Sequence, residues 1–228
     1  KIHSQFSICE GAIKIDDLKD FSKENKIRCI GLSDTSNLCG ALEFAEKISK
    51  SGTQPIIGTQ INFKYGETTG LLPLYALNEE GYKRIIELSS LSYLNNDNIS
   101  DPHLKFDELL FKNNGVALFS GTINGFFGEL FNKGKFSEIK ELYNKLKSIY
   151  GDTFYIEIQR HNDLNEIAFE KFNLSVSLEL EIPLIATHEV FYLNKEMHEA
   201  HDALICIKNK TYINEKNRLR FSDQHYLK

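Results

Sequence analysis

Short apolar runs alternate with longer amphipathic stretches along the whole chain. Apolar runs of about four to eight residues, bounded by polar or turn-forming residues, are typical of β-strands. Several of these runs are apolar at consecutive positions, which indicates strands buried on both faces of a parallel sheet. Seven strands are predicted in this way: one at Ile2, and the others over residues 29–32, 55–58 leading into 61–63, 71–77, 116–119, 154–158 and 183–186.

Between these runs the apolar positions follow a helical period. In residues 79–94, for example, Tyr82, Ile85, Ile86 and Ser89 are spaced so that they share one face of a helix. The same spacing predicts further helices after Asp16 and over residues 41–50, 137–150, 165–180 and 195–207. Strands that alternate with helices favour one sheet of parallel strands, as a barrel or a doubly wound sheet. The polar stretch from Asn95 to His103 is predicted to be a surface loop.

Composition narrows the functional classes. The 228 residues carry 27 basic and 32 acidic side chains, so the net charge of −5 does not suit a domain that binds nucleic acid over its whole surface. No apolar run approaches the roughly 18 residues of a membrane span. The four cysteines form no Cys-x-x-Cys pair, which excludes a disulfide scaffold and favours reduced thiols. We expect a cytoplasmic protein that makes no contact with a membrane.

Both ends of the chain suggest that it belongs to something longer. It does not begin with Met, and it opens on a strand pattern already in progress, as in a domain cut from a longer polypeptide or a chain missing its first residues. Residues 208–228 contain six basic and two acidic residues. A solvated connector to a further domain is the favoured interpretation of this basic segment. An arm that contacts phosphates is the alternative.

Polar side chains follow several of the predicted strands. His3, Asp34, His161 and Glu189 each come at or just after a strand end, where parallel α/β folds collect functional residues. A lone histidine at such a position is more often structural. Several imidazoles and carboxylates at one edge are instead the composition of a site for Zn, Mn or Fe.

Specific segments resemble a known family. Residues 3–7 together with Glu10, Gly11 and Ala12 look like the first motif of the polymerase and histidinol phosphatase (PHP) domain. The likeness is closest to the N-terminal PHP domains of bacterial DNA polymerase III alpha subunits and extends over essentially the whole chain. The further segments that carry it are residues 40–44, 55–58, 78–82, 155–161, 200–204 and 217–221.

The resemblance implies an α/β fold of a particular kind. This is a distorted seven-stranded (β/α) barrel, similar to a TIM barrel, over residues 1–207. Residues 208–228 would then form the basic C-terminal connector toward a polymerase domain outside this chain. Active members of the family hold a cluster of divalent metals at the barrel mouth with His, Asp and Glu side chains.

This sequence departs from the metal-binding pattern of the family. The resemblance leaves five residues at ligand positions: His3, Glu10, Asp34, His161 and Glu189. Four further positions hold poor or impossible ligands: Lys1, Thr35, Gln60 and Phe191. An ammonium group also repels a dication at short range. We therefore hypothesise that Lys1 pairs with Asp34 or Glu189 and partly substitutes for the metal.

The favoured function is non-catalytic. The resemblance implies a PHP domain with a degenerate metal site, kept as a scaffold for the other domains of the polymerase and as the docking site for the proofreading exonuclease subunit. No catalytic residue and no cofactor are expected in this fragment. DNA would be contacted only in the full holoenzyme, and Mg²⁺ would belong to the absent polymerase site.

The alternative is an enzyme. His3, Asp34, His161 and Glu189 could still hold one Zn or Mn and support a residual 3′–5′ exonuclease or phosphoesterase activity, in which a metal-bound hydroxide attacks phosphorus. An unrelated metabolic barrel is a third interpretation, which the polymerase-like segments disfavour.

Overall fold

Strands and helices alternate along the chain in the computed structural model, which describes residues 1–95, 101–111 and 114–228. The strands are β1 (Cys29–Thr35), β2 (Gln54–Tyr65), β3 (Thr68–Ala76), β4 (Leu104–Lys105), β5 (Val116–Phe119), β6 (Phe154–Ile158) and β7 (Leu184–Ala186). The helices are α1 (Ile15–Glu24), α2 (Ala41–Lys50), α3 (Glu79–Leu94), α4 (Phe126–Asn132), α5 (Phe136–Tyr150), α6 (Glu166–Leu180) and α7 (His198–Asn209). Short 3₁₀ turns cover Phe106–Leu110, Gly151–Thr153 and Lys195–Met197.

The strands form one curled sheet that closes into a distorted barrel. Its order is β1-β2-β3-β5-β6-β7, and β4 pairs with the far end of β2. The first residues of the chain close the ring, because Ile2 forms parallel bridges both to Leu32 in β1 and to Val190, which follows β7. The predicted first strand is thus a short bridge. It turns Lys1 and His3 into the barrel interior, while Ile2 packs outward with Leu32 and Val190.

The prediction that all strands run parallel is wrong for β3. This strand runs antiparallel to β2 and to β5, whereas β1–β2, β5–β6 and β6–β7 are parallel pairs. Only Gly66 and Glu67 separate β2 from β3, and Gly66 has a positive φ of 56°. A two-residue link makes a hairpin, since a parallel crossover needs about a dozen residues or more.

The helix predictions agree closely with the structure. Helices α2 and α3 have the predicted bounds, α5 begins at Phe136 and α6 at Glu166. The short helix α4 and the strand β4 were not predicted. Residues 55–63 lie within one twelve-residue strand, β2. Of the predicted surface loop, residues 96–100 lie outside the described part of the chain.

Side chains alternate between the two faces of the barrel wall. In β5, Val116 and Leu118 pack outward into the main core under the helices, while Ala117 and Phe119 face inward. The inner layer is small and aromatic, with Tyr75 and Tyr155 packed around Phe119. The polar residues of the barrel interior, such as His3 and Gln60, line the cavity at the mouth and are not part of this aromatic layer.

The segment after α7 folds back onto the barrel. Arg218 forms a two-pronged ion pair with Asp202 on α7, with nitrogen–oxygen distances of 2.5 and 2.7 Å. Farther along, the backbone of Leu227 donates to the carbonyl of Tyr192 at 3.1 Å, and His225 is buried. The division of the chain after residue 207, with a connector leading to another domain, stays a prediction. Across the described ranges, no helix has the length and apolar character needed to cross a membrane.

Candidate functional site

A cavity of about 340 Å³ opens at the carboxyl-terminal mouth of the barrel. Its floor is polar, with His3, Thr35, Gln60 and Glu189. Its apolar wall comes from Leu71, Phe191, Ile205, Leu219 and Phe221. Glu10 and Lys208 face each other across one side as an ion pair. The cavity therefore lies where the polar strand ends predicted a site.

Lys1 lies beneath this floor in a buried charge cluster. Its ammonium nitrogen is 3.1 Å from Oε1 of Glu157 and 3.5 Å from Oε1 of Glu189. Burial favours loss of the proton from Lys1, but the two carboxylates outweigh burial and raise the pKa of the ammonium group. Burial would likewise raise the pKa of Glu189, yet Lys1, His3 and Gln60 together hold it well below its ordinary value. Lys1 and Glu189 are therefore both charged at neutral pH.

Of the two partners hypothesised for Lys1, the structure contains one. Glu189 pairs with it, and Asp34 does not. The second partner, Glu157, comes from the middle of β6. Its carboxylate also accepts hydrogen bonds from Gln159, at 2.9 Å, and from Thr187. Glu157 is therefore fully engaged by a cation and two neutral donors.

His3 and Gln60 complete the network around Glu189. The amide nitrogen of Gln60 donates to Oε1 of Glu189 at 2.7 Å and lies 2.9 Å from Nε2 of His3. Nε2 of His3 is itself 3.1 Å from Glu189. Gln60 falls between the apolar runs predicted at 55–58 and 61–63, and in the structure it lies within β2 and pairs with Thr35 at the end of β1. Its side chain lines the cavity at the mouth.

Phe191 covers the imidazole of His3. The two rings stack with their centroids 4.4 Å apart and an angle of 25° between their planes. Phe191 also packs against Phe221, at 4.9 Å, in the folded-back segment. The position at which the family pattern has a metal ligand is thus a point of apolar packing between the barrel and residues 208–228.

Asp34 lies outside the cavity and reaches this network only through the Ser7 hydroxyl, which lies 3.2 Å from Nδ1 of His3. It shares the outward-facing side of β1 with Leu32, whereas Thr35 faces the mouth. Its carboxylate accepts hydrogen bonds from the backbone of Ser4 at 2.7 Å, from the Ser4 hydroxyl at 2.8 Å and from the Ser7 hydroxyl at 2.7 Å. These bonds make Asp34 the anchor of the loop after residue 3.

His161 is buried in a stack of three histidines. Its ring lies 4.6 Å from that of His188 and 4.1 Å from that of His225. Its Nε2 accepts a hydrogen bond from the backbone of Glu189 at 3.2 Å, and Glu166 receives two bonds from its backbone nitrogen. Burial, reinforced by the neighbouring histidines, lowers the pKa of His161 to about 3. The ring is neutral at physiological pH, and its Nε2 lone pair is engaged.

Comparison with known sequences identifies the family. The sequence profile of the PHP domain matches residues 1–161. The chain belongs to the PHP domain family. A DNA polymerase III subunit alpha from Caulobacter vibrioides is 33% identical over 236 residues, which takes in 100% of this chain and 21% of that protein. The same subunit from Rickettsia conorii is 35% identical over 95% of this chain and 19% of its own length.

The PHP domain described here thus spans about a fifth of the length of these curated relatives. Among solved structures, one described as a metal-dependent phosphoesterase from Bifidobacterium adolescentis matches 81% of this chain and 84% of its own. The TM-score is 0.44 and the identity 12%, a likeness too weak to carry an argument.

The donor set of this PHP domain does not fit the metal cluster that its family implies. The candidate ligands His3, Glu10 and Glu189 line one cavity, but Asp34 and His161 do not join them. The Lys1 ammonium lies 3.5 Å from Oε1 of Glu189, so a cation bound by this carboxylate would meet its positive charge. Over residues 1–95, 101–111 and 114–228, no group of three His, Cys, Asp or Glu residues is arranged to hold a metal ion.

Two important residues of the PHP domain were missed in the sequence. Glu157 carried a signal, because it is a lone charge between two isoleucines in a strand otherwise free of charged residues. A charge at an inward-facing strand position requires a buried partner. His225 carried none, since only the return of residues 208–228 brings it onto His161.

Proposed function

We propose that this PHP domain is a non-catalytic part of a replicative DNA polymerase III alpha subunit. The observation that carries the proposal is the Lys1 ammonium, which lies between Glu157 and Glu189 at 3.1 and 3.5 Å. This fixed side-chain cation offsets one of the two negative charges and repels any divalent metal that approaches the same carboxylates. The barrel is thus stable without the ion that phosphoester hydrolysis requires.

The scaffold role in this proposal rests on what is retained around the lost site. Phe191 occupies a ligand position and packs against Phe221, and Arg218 ties the following segment to Asp202. At these positions the side chains pack the barrel against its C-terminal segment instead of coordinating a metal. In the full polypeptide this segment would lead toward the polymerase domains, and the polymerase would be a cytoplasmic DNA-directed DNA polymerase with Mg²⁺ at its own active site.

Docking of the proofreading exonuclease subunit is the second part of the proposal. Support comes from the likeness to alpha subunits over nearly the whole chain. We would purify the full-length polymerase chain, mix it with the exonuclease subunit of the same organism and cross-link the complex. Cross-links from the exonuclease to residues 1–228 are expected. Cross-links that fall entirely elsewhere in the polymerase would refute the docking role.

The competing function is a residual metal-dependent 3′–5′ exonuclease or phosphoesterase. One observation favours it, which is that His3, Glu10 and Glu189 line a single cavity. The full-length chain is assayed with Mn²⁺ or Zn²⁺ on single-stranded oligonucleotides and on a small-molecule phosphodiester. We expect no product above that of a metal-free control. Metal-stimulated hydrolysis that is lost in Glu189→Gln would favour the enzyme.

A further inference from the structure

Helix α6 is apolar on two faces, although the described structure covers only one of them. Its inner face is buried through Phe169 and Val176 in the main core. A second stripe on the same helix consists of Ile167, Leu174 and Leu178, spaced so that they align. Ile167 is 71% exposed and Leu178 is 83% exposed. A helix with apolar residues on opposite faces is typical of a helix that is buried all round.

The neighbouring helix α5 does not cover this stripe. It packs nearer the buried side of α6, where Tyr143 donates to Asn173 at 3.1 Å, Phe136 packs on Phe172 and Lys140 pairs with Glu179. The exposed stripe therefore faces away from both the core and α5. From the C-terminal end of α6 the chain leads into β7, which pairs with β6.

The outward face of β7 is open as well. Ile185 packs inside the barrel with Tyr155, so Leu184 and Ala186 point outward. Both are exposed, Leu184 to 43%. In a complete (β/α) barrel a helix covers the outside of every strand. Here α7 instead contacts Glu10 at the mouth, through His201 and Lys208.

The exposed stripe of α6 and the outer face of β7 are both uncovered in the described structure, and we refer to the two together as the α6–β7 surface. Leu178 and Pro183 also border a groove of about 520 Å³ that extends this surface at the start of β7. Exposed apolar patches of this kind mark interaction sites in soluble proteins.

We propose that the α6–β7 surface is covered by a later part of the same polypeptide. This inference rests on the proposed function. The relatives matched along nearly the whole chain are about five times as long, so most of their length lies outside the matched region and can supply the cover. The surface is also built from isoleucine and leucine, which suits a permanent interface, whereas interfaces between subunits that dissociate are more polar.

Site-resolved thiol labelling of the full-length chain tests this assignment. Leu178→Cys is treated with N-ethylmaleimide, and the modified peptide is quantified by mass spectrometry so that the native cysteines do not interfere. Ser175→Cys is the matched control, because this exposed residue lies on the same helix beyond the stripe. We expect Leu178→Cys in the full-length chain alone to react at least about tenfold more slowly than the control. Ile167→Cys provides a second position if Leu178→Cys does not fold.

The other occupants are distinct outcomes. Equal labelling rates at positions 178 and 175 in the full-length chain would overturn the inference. Protection that appears only after the exonuclease subunit is added, or only at high protein concentration, would overturn it too, in favour of that subunit or of a second copy. The proposed function is tested separately, because a full-length chain with polymerase activity and no hydrolase activity would uphold it even where Leu178→Cys reacts freely.

Discussion

The ammonium nitrogen of Lys1 lies 3.1 Å from Oε1 of Glu157, and the two side chains are only 1% and 0% exposed. A charge pair this deeply buried loses its hydration, so each member depends on the other and on the surrounding hydrogen bonds. Under the proposed non-catalytic function, the Lys1 ammonium offsets part of the negative charge of Glu157 and Glu189 beneath the mouth of the barrel.

Replacing Lys1 with methionine is expected to destabilise the protein by about 3–5 kcal/mol, because Glu157 and Glu189 are left with buried, uncompensated charge. Urea denaturation at pH 7 measures the change. The double variant Lys1→Met with Glu157→Gln should recover part of the loss. Lys47→Met, which removes a partly exposed ion pair with Asp16, serves as the control and should have a far smaller effect. A Lys1→Met variant as stable as the unmodified protein would contradict the account.

Asp34→Asn is expected to destabilise the protein by about 2 kcal/mol without changing its metal content, since the side chain accepts three hydrogen bonds and lies outside the cavity. An amide supplies one acceptor oxygen in place of two and sets a donor against the serine hydroxyls. Asp17→Asn, at an exposed carboxylate on α1, is the matched control. Loss of a bound metal in Asp34→Asn would instead assign this residue to a metal centre.

His201 is expected to make stability depend on pH. Burial lowers the pKa of its imidazole to about 4 from an ordinary value of 6.5. Below pH 6.5 the imidazole of His201 therefore becomes protonated in the unfolded chain, whereas in the folded chain it stays neutral until the pH approaches 4. The contribution of His201 to stability is complete above pH 6.5 and falls by about 1.4 kcal/mol per pH unit between 6.5 and 4.

The variant His201→Gln should show a correspondingly shallower loss of stability over that range, measured by urea denaturation at pH 7, 6 and 5. Nitrogen chemical shifts of the imidazole report the protonation state directly. A ring that titrates near pH 6.5 in the folded protein would show that His201 is not held neutral by its surroundings.

Arg218→Lys is expected to loosen the segment after α7. The guanidinium binds both carboxylate oxygens of Asp202, and a lysine cannot reproduce that two-pronged contact. Hydrogen–deuterium exchange should become faster over residues 211–228 while the barrel strands keep their protection. Arg220→Lys is the control, because this more exposed arginine bonds mainly to Glu199. Equal effects of the two substitutions would place the anchor elsewhere.

The direction of β3 illustrates what the apolar pattern can and cannot predict. Periodicity located every helix except the short α4 and every strand except the short β4, because burial of one face sets the spacing of apolar positions. It carries no information on whether a strand runs parallel or antiparallel to its neighbour. The two-residue link at Gly66 and Glu67 did carry that information, but only once β2 was known to extend to Tyr65.

The sequence predicted where the site lies but not which side chains contact one another within it. Strand ends correctly placed His3 and Glu189 at one mouth. Asp34 was adjacent in sequence to Thr35, yet alternation along β1 turns the two side chains to opposite faces. The cation partner Glu157 lies inside a strand and His225 comes from the distant C-terminal segment, so neither follows from the residues after each strand.

The most direct test of the central claim is the metal content of the full-length polypeptide, purified without chelator and without a metal-affinity step and measured by inductively coupled plasma mass spectrometry. The account predicts less than about 0.1 equivalent of Zn, Mn and Fe combined per chain, because the Lys1 ammonium lies between Glu157 and Glu189 and repels a divalent cation there. One equivalent or more, lost on substitution of Glu189 by glutamine, would contradict it and restore the metal-dependent hydrolase.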